Sequence, residues 1–291
     1  MKKQVLFCLV LLFATGACTE RIDIETGNSK PFIIIYGLIT DQLGSQEIRI
    51  SESTSFFDDQ SNANVSGALV TVTSSEGERF EFVEQEHMPG YYYSDRCIAE
   101  AGKRYDLNVT VDFNRDGIPE QYEASTTILP PAYLDSIKLV PTKIMNNLNY
   151  LLLAYGKDAV SEDYYLFRFA VNGESVSEKL SRYVITDDVL FNGQRIDGLT
   201  LQWFNDVSNW ENNTSESRNN SVYLKTGDKL EVEMSIIPKG YYDFINQCLS
   251  EIGRENPMFG TPPANIVTNI SNGGVGYFSG HCTTKISTEV P

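Results

Sequence analysis

From Phe32 onward, apolar and polar residues alternate in short runs, with the period of two that a half-buried β-strand requires. Residues 33–36 are β-branched or aromatic, Glu47-Ile48-Arg49-Ile50 alternates strictly, and residues 68–73 do so around Val70 and Val72. Further strands are predicted at 79–83, 91–93, 105–111 and 122–128, with turn residues at 41–44, 74–77 and 89–90 between them. Seven short strands without a helical period predict an immunoglobulin- or transthyretin-like β-sandwich over 31–129.

Pro130-Pro131 then stiffens the chain, and 132–291 is predicted as a second β-rich domain, sandwich or barrel-like. Its strands fall at 134–140, 150–155, 164–171, 181–186, 199–204, 222–224 and 229–237, with closing strands at 275–278 and 283–287. Residues 205–220 are polar and read as a long exposed loop. One segment changes period. Tyr241, Phe244, Ile245, Cys248, Leu249 and Ile252 recur at helical spacing between Pro238 and Gly253, which predicts a single amphipathic helix over 239–252.

The start of the chain fits neither pattern. Met1-Lys2-Lys3 precedes an apolar run over 5–13, followed by Thr15-Gly16-Ala17 and Cys18. A basic region, a short apolar core and small residues before a cleavage point define a secretory signal over 1–17, and the run is too short to span a bilayer. Small residues before a cysteine suit an enzyme that alkylates a thiol. Cys18 is therefore the predicted lipidation site, with 18–30 as a flexible tether, and the acyl chains hold the mature chain on a membrane.

Charge and cysteine count narrow the partners. The formal net charge is −16, and losing Lys2 and Lys3 with the leader makes it −18. Such acidity repels phosphate backbones and anionic lipid faces, and no basic patch interrupts it, so nucleic acid is not an expected partner. Cys8 leaves with the leader and Cys18 is acylated, so Cys97, Cys248 and Cys282 remain in an oxidising compartment. Three cysteines allow at most one internal disulfide, and Cys248 with Cys282 is the preferred pair because both lie in the C-terminal region.

The sharpest local motif is Asp112-Phe113-Asn114-Arg115-Asp116-Gly117 followed by Glu123, the spacing of a calcium-binding loop. On that template Asp112, Asn114, Asp116 and Glu123 supply side-chain oxygens and Ile118 its carbonyl, with Glu120 able to reach the ion through a water. Strands rather than helices flank it, and Pro119 departs from the pattern. The alternative is a solvated acidic hairpin turn.

Other chemistry has less support. The two histidines, His87 and His281, accompany no G-x-S-x-G elbow and no second zinc-ligand pair. Adjacent acids such as Asp58-Asp59 and Asp187-Asp188 match a glycosidase only if they pair in space. Aromatic clusters at Tyr91–93, Tyr164-Tyr165, Trp203-Phe204 and Tyr241-Tyr242 offer stacking surfaces, although alternation buries one member of each pair. Trp210, inside the polar stretch, stands out as a contact residue for a ligand or partner.

Several segments in this order carry a resemblance: Ile22-Asp23-Ile24 after the cysteine, Phe32 to Gly37 with Leu38-Ile39-Thr40-Asp41, Val65-Ser66-Gly67-Ala68, Pro89-Gly90-Tyr91, Leu134-Asp135-Ser136-Ile137, Thr186 to Gly193, Tyr241-Tyr242-Asp243 and Asn269 to Phe278. Together they resemble the Bacteroidota outer-membrane lipoproteins grouped as domain of unknown function 4249, over nearly the whole mature chain. Members are typically encoded beside TonB-dependent receptors. The resemblance implies a non-catalytic binding or accessory subunit at the cell surface or outer membrane, meeting a TonB-dependent barrel and an unidentified small-molecule, glycan or peptide ligand. It brings no catalytic residues. The alternatives are a calcium-dependent adhesion or structural module and an envelope glycan hydrolase.

Overall fold

The computed structural model describes residues 31–53, 63–212, 221–252 and 266–291. Ile33, Ile35 and Ile39 draw β1 (Ile33–Thr40) onto the first core, because alternate side chains of a strand share a face. β1 pairs antiparallel with β2 (Gln46–Glu52), whose Ile48 and Ile50 are buried beside it. The sheet continues through β6 (Met88–Ser94), β5 (Arg79–Gln85), β4 (Leu69–Ser74), β7 (Arg104–Val111) and β8 (Glu120–Thr127), with the short β3 (Ala63–Asn64) beside β2.

The other edge of β1 is taken by β17 (Val275–His281), which runs parallel to it with Ile34 opposite Val275 and Thr40 opposite His281. The sheet curls until β8 meets this C-terminal segment. The Ser271 N–H donates to the Glu123 carbonyl oxygen at 2.8 Å, the Glu123 N–H donates to the Ser271 hydroxyl at 2.7 Å, and the Gly280 N–H donates to the Thr126 hydroxyl at 3.1 Å. The curl encloses Ile35, Ile48, Val72, Tyr105, Val109 and Phe278.

The contiguous division into 31–129 and 132–291 is thereby corrected. The sequence pattern places 275–278 in the second domain, whereas β17 completes the first. Its alternation carries no address, since Phe278 faces the first core while Tyr277 is buried in a different cluster. A strand buried on both faces reads the same whichever sheet it joins.

The second body stacks two sheets. One has the order β15 (Tyr223–Leu224), β14 (Arg195–Asp206), β10 (Asn147–Lys157), β9 (Ser136–Ile144). The other runs β12 (Glu174–Ser175), β11 (Tyr164–Val171), β16 (Lys229–Ile236), β18 (Thr284–Glu289), with β13 (Val184–Asp187) also beside β11. Tyr150, Leu152 and Phe204 from the first meet Phe167, Phe169 and Val232 from the second, and Phe169 stands edge-on to Phe204 at 5.4 Å. Of the predicted loop at 205–220, Asn205 and Asp206 belong to β14 and Val207–Asn212 form a 3-10 turn; 213–220 lie outside the described residues.

The helix predicted at 239–252 is present as α1 (Lys239–Ile252). It buries Tyr241, Phe244 and Ile245 in a third apolar cluster that draws Tyr36 and Tyr277 from the first body and Leu166 from the second. Each such side chain contributes about 2 kcal/mol of burial, so the helix joins the two bodies. Tyr277 lies 5.4 Å from the Tyr241 ring and 5.3 Å from that of Phe244.

Candidate functional site

In the loop after β7 the residues of the expected calcium motif hydrogen-bond within the loop. The Asp112 carboxylate accepts the N–H groups of Asp116 and Gly117, both at 3.0 Å, and Glu120 accepts from the Phe113 N–H at 2.9 Å and from the Asn114 side-chain amide. Asp116 accepts from the Ile118 N–H. Glu123 lies three residues along β8, opposite Asn108, roughly 10 Å from the loop at strand spacing. Register explains this arrangement. Once Val111 pairs with Glu120, that residue closes the turn, and the carboxylates satisfy backbone donors.

Three aromatic residues, Phe169, Trp203 and Phe204, meet instead at one edge of the second body. β14 pairs with β10 along one side, while on its other side, among the described residues, β15 pairs with it at Asn205 and Asp206. Two bulges on β14, at Leu201 opposite Leu152–Leu153 and at Gly198 opposite Ala154–Tyr155 of β10, bend this edge. Alternation then buries Phe204 and leaves Trp203 45% exposed. The Gln202 side-chain oxygen accepts the Trp203 N–H at 2.9 Å.

Beside this edge is a cavity of about 250 Å³ lined by Phe169, Ser177, Arg182, Gln202, Trp203 and Asn205, among others. The 3-10 turn Leu180–Arg182 brings in Arg182, whose guanidinium donates to the Val176 carbonyl oxygen at 3.1 Å. An indole face beside amide, hydroxyl and guanidinium groups suits a small polar molecule with one apolar face, such as a sugar ring. Trp210, the contact residue expected from sequence, is 48% exposed on the neighbouring 3-10 turn, edge-on to Tyr223 at 5.0 Å.

A second constellation escaped the sequence pattern because its members come from two loops, 158–163 between β10 and β11 and the turn after β13. Asp158, Asp163 and Asp188 place their oxygens within 4.8 Å of one another. The Tyr165 phenol and the Gly193 N–H donate to Asp158, the Ser161 hydroxyl to Asp163 at 2.7 Å, and the Asp163 N–H to Asp188 at 3.0 Å. Burial, and then the charges of Asp158 and Asp163, hold the Asp188 carboxyl above the usual carboxylate range. The hydrogen bonds make this group a brace between loops. Asp188, singled out with Asp187 as one of an acid pair, serves here as a structural anchor.

A family model for a domain of unknown function, DUF4249, matches residues 19–287. The chain belongs to the DUF4249 family. A search of curated proteins found no match. Among solved structures, the chain is similar to the crystal structure of the chicken CNTN1 FN1–FN3 domains, at 12% identity and a TM-score of 0.26, covering 72% of this chain and 62% of that one.

In this DUF4249 chain His281 is fully buried, and neither ring nitrogen has a hydrogen-bond partner. Burial, reinforced by the Arg168 charge, lowers its pKa to about 3, so the ring is neutral. His87 is exposed in the turn between β5 and β6. The expected Cys248–Cys282 disulfide is absent: Cys97, Cys248 and Cys282 are all free thiols. Cys282 belongs to the first core and Cys248 packs with α1 in the third cluster. Nearness in sequence therefore did not bring them together. Cys18 and the leader lie outside the described residues.

Proposed function

We propose that this chain is a lipid-anchored, non-catalytic binding or accessory subunit of a TonB-dependent uptake system at the outer membrane, facing the cell surface. The observation that carries the binding role is the cleft at Trp203, where a half-exposed indole lines the same cavity as Arg182, Gln202 and Asn205. The leader and Cys18 support the anchor, and membership of the DUF4249 family, with the resemblance described above, supports the uptake partner. Acid–base catalysis by histidine has little to draw on, because His281 is buried without a hydroxyl or carboxylate partner.

Crosslinking in intact cells tests the partnership. A TonB-dependent barrel joined to this chain is the expected product, and repeated absence of any such barrel would contradict the proposal. Ligand capture is checked separately by binding of a panel of monosaccharides and short glycans. At least one should bind, and Trp203→Ala should weaken it by about tenfold.

A further inference from the structure

The strand that completes the first sheet carries polar side chains where the two bodies meet. Alternation along β17 sends Phe278 into the first core and Tyr277 into the cluster around α1, so Ser279 and His281 share the face of Tyr277. Both are fully buried. The pairing with β1 puts Leu38 beside Ser279 and Thr40 beside His281, and the Thr40 hydroxyl already donates to the Gln46 side-chain oxygen at 3.3 Å.

Across the joint the second body presents ions rather than an apolar face. Arg168 of β11, whose charge acts on His281, pairs with Glu233 of β16 at 2.9 Å, and Glu233 also holds Lys285 at 2.6 Å. The Ser279 hydroxyl and both ring nitrogens of His281 have no hydrogen-bond partner among the described residues. Polar groups cut off from outside solvent without a partner keep the full cost of leaving water, and folded proteins meet that need with enclosed water or an ion.

The chemistry of these atoms selects between the two. A neutral imidazole has one donor and one acceptor nitrogen, and a hydroxyl both donates and accepts. A cation serves only the lone pairs and is repelled by Arg168, while an anion serves only the donors and leaves the acceptor nitrogen bare. Water does both. We propose that water is enclosed in the joint between the bodies, hydrogen-bonded to the Ser279 hydroxyl and to both ring nitrogens of His281. Nδ1 and Nε2 lie on opposite edges of the ring, so water reaches it from two directions. The aromatic cluster at α1 then closes one end of the joint, and water closes the other.

A high-resolution crystal structure of the mature chain tests this, with thermal unfolding of Ser279→Ala as a measurement in solution. The expected result is solvent density about 2.7–3.2 Å from Ser279 Oγ, His281 Nδ1 and His281 Nε2, with no anomalous signal from a metal or chloride. Ser279→Ala removes a partner of that water and should lower the melting temperature by about 2–4 °C. A hydroxyl that bonds nothing gives the opposite sign, because its removal relieves a desolvated group. Absence of density at these atoms, a direct protein partner for any of them, an ion in the site, or an unchanged or higher melting temperature in Ser279→Ala overturns the proposal. The wild-type density decides the matter if that variant does not fold.

Discussion

Tyr36 and Tyr241 share a hydrogen bond of 2.7 Å between their phenol oxygens although 205 positions separate them. The bond joins β1 to α1, and burial together with the neighbouring Tyr241 and Tyr183 rings holds the Tyr36 phenol well above its ordinary pKa. A buried hydroxyl that loses its partner retains the cost of leaving water. Tyr36→Phe and Tyr241→Phe should each destabilise by about 1–2 kcal/mol, and the double variant by clearly less than their sum. Chemical denaturation of the three variants measures this, and simple additivity would count against the bond.

The pairing of β17 with β1 depends on a glycine. Gly276 has φ 104° and lies so close to β1 that a Cβ would collide with the Ile35 carbonyl oxygen. Gly276→Val combines left-handed strain with that clash and should cost about 3 kcal/mol or more. Hydrogen exchange should then show lost protection along β1 and β17 before the second body opens.

His281 makes the fold sensitive to acid. Its folded pKa of about 3 lies below the unfolded value of about 6.5, so the unfolded chain takes up the proton first. The contribution is complete above pH 6.5 and declines by about 1.4 kcal/mol per pH unit as the pH falls toward 3. His281→Gln removes this term. Wild type should lose stability faster than the variant between pH 6.5 and 4, and parallel curves would show that the ring is not held neutral.

Thiol chemistry separates the three cysteines. Burial pushes the Cys97 thiol up to about 12, and burial followed by the Asp41 carboxylate raises Cys282 to about 11. Cys248 is only partly buried. A thiol reagent should label Cys248 first in the native mature protein, and Cys97 and Cys282 only on unfolding. A Cys248–Cys282 peptide in a non-reducing digest would contradict this arrangement.

Much of the strand content was legible because its cause is local. Tyr92 is buried while Tyr91 and Tyr93 are not, as alternation requires, and the helical period at 239–252 produced α1. β14 was foreseen only at 199–204 because bulges at Gly198 and Leu201 shift its alternation, extending the strand to 12 residues across a polar start. The pairing of β17 with β1 was not legible, since partner choice between distant strands depends on hydrogen bonds that no local pattern encodes. Trp203 was visible as half of an aromatic pair, and the neighbouring Phe204 is the buried half. Arg182 and Ser177 reach the same cleft through folding alone. The Asp158 brace likewise joins loops that share no periodicity.

The role assigned to this acidic β-rich chain depends most on Cys18. Intact mass spectrometry of the protein purified from its native membrane decides the matter. The account predicts a chain beginning at Cys18 and carrying acyl groups on that residue; a chain that still begins at Met1, with an unmodified Cys18, would contradict it.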